Sequence, residues 1–293
     1  MATRTQGSVK RVLAVRGTND MHWVGNGFPV RTLFSYNDSP QEFSPFLLLD
    51  YAAPRTFPPT SARLGVGEHP HRGFETVTIV FAGEVEHRDS SGGGGKIGPG
   101  DVQWMTAGGG LVHDEFHGRD FARQGGAFEM VQLWVNLPKK DKLTPPRYQG
   151  ILDAQIPKVP LGSSGSTARI IAGELDGKKG PAKTFTPMNV WDLRVEGSTR
   201  LEVPEGFTTL LVVRNGPLRV NGTHVDSPAT LVQLEREGTT IELESAERAS
   251  ALLLSGPRIE EPVVGYGPFV MNTAVEIRQA IDDFQSGKMG QLS

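Results

Sequence analysis

No cysteine occurs in the chain, so disulfides, thiolate metal sites and cysteine nucleophiles are excluded together. A reducing compartment agrees with that absence. Long apolar stretches are missing as well. The longest run near the front is Phe46-Leu47-Leu48-Leu49, whereas a membrane-spanning helix needs about 20 such residues. Met1 to Lys10 is polar and has no apolar centre, so no secretory signal is read there. Clusters of Lys and Arg are also lacking. With 30 basic and 33 acidic side chains and a formal net charge of −3, the chain shows no footprint for a nucleic-acid backbone. The expectation is a soluble, cytoplasmic, monomeric protein with no direct nucleic-acid partner and no membrane.

What the chain does have is punctuation. Its 36 Gly and 21 Pro separate many short apolar runs, a pattern of β-sandwiches or barrels rather than helical bundles. A length of 293 residues suits one large or two medium domains. In the first half, residues 11–15, 30–35, 46–51, 75–82, 84–89, 102–106, 111–117 and 128–137 read as strands, and 53–64, with three prolines, as a loop. Eight or so short strands at this spacing suggest a jelly roll. Residues 138–165, rich in Lys, Pro, Gly and Ser, read as a linker. A second strand-rich block covers 168–255, hinting at internal duplication, with His224 as its only histidine. Near the end, Val275, Ile277, Ala280, Ile281 and Phe284 have helical spacing, with Thr273 as N-cap and Glu276 as its capping-box partner.

Chemistry concentrates in residues 65–117, which hold five of the seven histidines. Side chains at i and i+2 of a strand share a face. His69 and His71 therefore converge, and so do His113 and Glu115. If the two strands face each other across a barrel, the four groups meet around one ion. A His-x-His alone is a weak signal; the second pair, beyond a hairpin and a glycine turn, strengthens it. His117 would share the face of His113 and Glu115, but is read as a pocket-rim or surface residue. His22 and His87 have no sequence partner and are read as structural or exposed. Trp104, Phe116 and Trp134 either line the pocket or belong to the core. Ser91-Gly92-Gly93-Gly94-Gly95-Lys96-Ile97 lacks the Ser/Thr and leading glycine of a phosphate loop, so it is a hairpin tip.

His69-Pro70-His71 followed by Glu75 and Gly83 resembles the first motif of the cupins, and Gly110-Leu111-Val112-His113 is similar to part of their second. Longer stretches resemble the pirins: His69-Pro70-His71-Arg72-Gly73-Phe74-Glu75-Thr76, Pro99-Gly100-Asp101-Val102-Gln103-Trp104-Met105-Thr106-Ala107-Gly108, Gln132-Leu133-Trp134-Val135-Asn136-Leu137-Pro138 and Gly267-Pro268-Phe269-Val270-Met271-Asn272-Thr273. The resemblance runs from about residue 46 to 284. It implies an all-β protein of two tandem cupin (jelly-roll-type) barrels with a short C-terminal helix. Residues 1–140 would form a metal-binding barrel, 141–166 a linker and 167–256 a second barrel without ligands. Residues 257–293 would pack back on the first barrel.

In that family the ligands correspond to His69, His71, His113 and Glu115, which leaves Glu75 as a strand residue, a support for a histidine or, as in many cupins, a ligand itself. Imidazoles and a carboxylate without thiolate suit Fe(II), the metal usual in pirins, and also Mn, Ni, Co, Cu or Zn. Several pirins act as quercetin 2,3-dioxygenases, which implies a flavonol and dioxygen as substrates and Glu115 as a general base. Others bind transcription factors or metabolic enzymes, which implies the alternative of a metal- and redox-responsive regulatory protein.

Overall fold

The alternating segments fold as strands. The structure is a computed structural model and describes residues 7–226 and 228–292; residues 1–6 of the polar N-terminal stretch lie outside the described residues. Strands hold 54% of the residues and helices 8%, so the protein is all-β as expected. The ladders do not close into rings but remain open sheets. Among the described residues no helix is long and apolar enough to cross a membrane.

The chain divides into two compact units. One contains Asn19–Gln155 and Ile259–Ser293; the other contains Ile156–Arg258 and the described residues up to Thr18. The front boundary differs from the sequence expectation. Val12–Gly17 pairs antiparallel with Thr230–Leu234, so this strand belongs to the second unit and not to the barrel that follows it in sequence. The stretch expected as a linker is also ordered. Arg147–Ile151 extends a sheet of the first unit beside Val102–Thr106, and Lys158–Pro160 pairs with Thr167–Ala172 in the second.

The first unit is built from two large sheets and a two-stranded pair, Val264–Tyr266 with Phe269–Met271. A seven-stranded sheet runs in the order Arg147–Ile151, Val102–Thr106, Phe74–Ala82, Gly126–Asn136, Phe46–Phe57, Phe28–Ser35, His22–Val24. A four-stranded sheet runs Gly65–His71, Leu111–His117, Val85–Asp89, Gly94–Ile97. Apolar side chains of both sheets, among them Val30, Val80, Val85, Ile97 and Phe128, form one buried cluster. The expected loop over 53–64 starts late, because the Phe46–Phe57 strand runs through Pro54. Between Ala52, opposite Met130, and Arg55, opposite Phe128, the register shifts. A proline without an N–H is tolerated at such a bulge.

The C-terminal helix, Ala274–Gln285, is capped by Thr273, whose side chain accepts from the Glu276 amide at 3.2 Å. Ile277 and Ala280 are buried, together with Val112 of the Leu111–His117 strand and Met271. Val275 is 65% exposed, since it lies two residues before Ile277 and so off that stripe. The second unit holds a nine-stranded sheet, a two-stranded pair of Glu174–Leu175 with Lys178–Lys179, and its own core around Trp191, Leu211 and Leu253. Its one histidine, His224, is exposed and pairs with Asp226 at 2.6 Å.

Candidate metal centre

The two ligand-bearing strands are hydrogen-bonded neighbours rather than walls facing across a barrel. Gly65–His71 is the edge strand beside Leu111–His117, with His69 opposite His113 and His71 opposite Leu111. The edge position tolerates Pro70. A register shift between His113 and Glu115 interrupts the ladder there.

The imidazoles of His69, His71 and His113 gather closely. Their ring centroids lie 4.9, 4.2 and 4.8 Å apart for the pairs 69–71, 69–113 and 71–113. Their potential ligand atoms fall within 4.8 Å of one another. His69 Nδ1 lies 2.8 Å from the Gly67 carbonyl and His71 Nδ1 3.2 Å from the Pro268 carbonyl. A carbonyl only accepts, so both Nδ1 atoms carry the hydrogen and both Nε2 atoms keep a lone pair. His113 Nε2 is buried and has no hydrogen-bond partner, which in a native interior calls for an explanation such as an ion. Burial first, then the neighbouring imidazoles, hold His71 and His113 well below the ordinary histidine range. Both are neutral, the form that binds metal. These observations fit a divalent cation.

Glu115 belongs to a second, overlapping triad with His87 and His113. The four expected ligands are thus divided between two groups that share His113. Glu115 Oε1 accepts from Gln103 Nε2 and, at 3.3 Å, from Thr78 Oγ1; Oε2 is contacted by Gln132 Nε2 at 3.4 Å. Gln103 and Gln132 stand opposite Thr78 on the two flanking strands, so register alone assembles this polar floor.

His87 is buried within the cluster, contrary to the expectation of a partnerless histidine. It stands opposite Glu115 in the ladder and packs flat on Tyr148 at 5.0 Å. His117 also differs: it is buried, donates Nε2–H to the Gly27 carbonyl at 2.9 Å and sits among Phe28, Phe57, Phe121 and Phe128. It is a core residue rather than a rim residue, and it is in neither triad. His22 is exposed.

Glu75 is in neither triad. The Phe74 ring lies 5.1 Å from His71, so its chain neighbour Glu75 points to the other face of the sheet. There Thr106 Oγ1 donates to Oε1 at 2.7 Å, and Arg147 stands 3.9 Å away. Burial raises its carboxyl to about 7, opposed in part by the hydrogen bond from Thr106 and by the Arg147 charge. Trp104, opposite Val77 in the ladder, shares that far face. Phe116 lies under Arg63 at 4.1 Å. Only Trp134 of the three aromatics reaches the site, edge-on to His71 at 5.2 Å.

Gly73 makes the bend between the strands. Its φ is +89°, and a Cβ there would lie 2.0 Å from the Val270 carbonyl oxygen. Arg72 anchors the C-terminal segment over this bend, donating to the Gly109 carbonyl at 2.7 Å and pairing with Asp283 at 2.9 Å.

Two jelly-roll-type units, one with converging imidazoles and a carboxylate, define a bicupin. The Pirin family model matches residues 27–135, and the Pirin C-terminal cupin domain model matches residues 189–290. The chain belongs to the pirin family. It is 53% identical to a Pseudomonas aeruginosa protein whose name marks it as a candidate quercetin 2,3-dioxygenase, over 96% of this chain and 98% of that one. Human pirin is 35% identical over 85% of this chain and 84% of its own length. A crystal structure of quercetin 2,3-dioxygenase from Acinetobacter baumannii aligns with a TM-score of 0.94 and 55% identity, covering 98% of this chain and all of that one.

Proposed function

We propose that this protein is a metal-dependent dioxygenase that opens the central ring of a flavonol such as quercetin, with His69, His71, His113 and Glu115 holding one divalent metal, Fe(II) foremost. The observation that carries the reading is the gathering of three imidazoles, with His69 and His71 tied to carbonyls through Nδ1 and His113 Nε2 buried and unpartnered. A metal bound there would supply Lewis-acid activation and a template for substrate and dioxygen.

The protein's own groups do the rest. Phe74 stacks on Trp134 at 4.3 Å and Tyr36 lies 6.4 Å from it; of these rings the half-buried Trp134 is the one a planar substrate would meet beside His71. Glu115 would take the proton of the flavonol 3-hydroxyl on Oε2, while Gln103 holds Oε1 in place. Iron in its divalent form agrees with a reducing, cytoplasmic setting. The test is aerobic turnover of quercetin by iron-loaded protein, followed by its absorbance. Loss of substrate that disappears in His69→Ala is expected. No loss above a metal-free control overturns the activity and favours a regulatory role for the same metal site.

A further inference from the structure

His87 is outside the proposed ligand set, yet both of its ring nitrogens are engaged. Nε2 lies 3.2 Å from Asp89 Oδ2, and Nδ1 lies 3.2 Å from His113 Nδ1. The direction of the first hydrogen bond follows from the fixed end of the chain. Asp89 Oδ1 accepts from the amides of Ser91 and Gly93 at 2.8 and 3.0 Å and from the Ser91 hydroxyl at 2.5 Å. Two amides and a hydroxyl directed at one oxygen favour the ionised carboxyl. Asp89 is therefore a carboxylate and can only accept, so His87 Nε2 carries the hydrogen. A His113 that binds a metal through Nε2 carries its hydrogen on Nδ1, so in that state His113 Nδ1 donates and His87 Nδ1 accepts. That leaves the lone pair of His113 on Nε2, the buried atom with no protein partner.

Each of the three imidazoles is thus tied back through Nδ1, but not to the same kind of group. His69 and His71 lean on neutral backbone carbonyls. His113 leans on a side-chain relay that ends in a negative charge. The Tyr148 ring, 5.0 Å away and nearly parallel, closes one face of His87.

We propose that Asp89 and His87 form a positioning pair that fixes the tautomer and ring orientation of His113, doing through two residues what a single carboxylate does behind many metal-bound histidines. The proposal rests on His113 serving as a metal ligand. It makes His113 the most basic of the three imidazole donors, and it assigns His87 a place behind the ligand rather than on the ion.

Cobalt(II) is the probe, because its paramagnetism moves each ligating ring's N–H proton far from the bulk of the proton NMR spectrum. Wild-type protein should bind one equivalent and show three shifted, exchangeable N–H signals. His87→Ala should still bind one equivalent, about 10–100-fold more weakly, and lose one of the three signals to solvent exchange. His87→Asn, whose amide oxygen can accept from His113, should restore part of both. Asp89→Asn removes the charge at the far end and should shift the same signal with a smaller loss of affinity; it keeps the test valid should the alanine variant misfold. Three unchanged signals at unchanged affinity in His87→Ala overturn the proposal and leave the ligand set standing. A fourth signal in the wild type makes His87 a ligand and overturns it too. A wild type that binds no cobalt removes the metal site on which it rests.

Discussion

Replacing Glu75 with Gln separates a buried carboxyl from a metal ligand. Glu75 is 0% exposed and sits on the face of its sheet away from the histidines. Its carboxyl rises from 4.5 to about 7 on folding, chiefly through burial. A folded pKa above the unfolded one contributes stability that is fully present below 4.5 and is lost as pH rises through 7. At about 1.36 kcal/mol per pH unit, the interval corresponds to roughly 3 kcal/mol. The glutamine amide keeps the acceptor for Thr106 Oγ1 but adds donors that a buried site must satisfy, at about 1–3 kcal/mol. That cost does not vary with pH. The difference between variant and wild type in metal-free protein should therefore swing by about 3 kcal/mol in favour of Glu75→Gln between pH 4.5 and pH 8. Guanidinium unfolding of both proteins across this range measures it. A difference independent of pH would refute the reasoning, because Glu75 would then be ionised throughout. Glu75→Gln should also load metal as the wild type does.

Other perturbations test neighbouring parts of the account. Gly73→Ala forces a Cβ to within 2.0 Å of the Val270 carbonyl oxygen at φ +89°, so the melting temperature should fall and the C-terminal segment should become accessible to protease. Trp134→Ala removes the ring beside His71 and Phe74; the Michaelis constant for quercetin should rise about two- to tenfold with metal content unchanged, since one aromatic contact contributes about 0.5–1.5 kcal/mol beyond its buried area. Thr273→Ala deletes the cap that accepts from the Glu276 amide and should cost about 1 kcal/mol, seen as a lower unfolding midpoint.

The convergence of His69 and His71 was legible because they lie two residues apart on one strand, whereas Glu115, beyond a register shift from His113, gathers with His87 and His113 instead. The capped terminal helix was legible for the same local reason. Long-range pairing was hidden. Nothing near His87 indicates that Val85–Asp89 lies beside Leu111–His117, so its meeting with Glu115 and His113 cannot be read from spacing. Likewise, Val12–Gly17 finds its partner at Thr230–Leu234, across most of the chain. Glu75 is instructive in another way. Four residues after His71, it would share that face in an unbroken strand. The bend at Gly73 reverses the parity, and Gly65–His71 and Phe74–Ala82 enter different sheets. His117 keeps the parity of His113 but ends among phenylalanines, because the unit's aromatic core gathers from strands far apart in sequence.

The central claim is that one divalent metal is held with His113 as an indispensable ligand, the residue common to both triads. Metal content after iron loading and exhaustive dialysis, compared between wild type and His113→Ala, tests it most directly. One equivalent per chain is expected in the wild type and essentially none in the variant. Equal loading of the two proteins would contradict it.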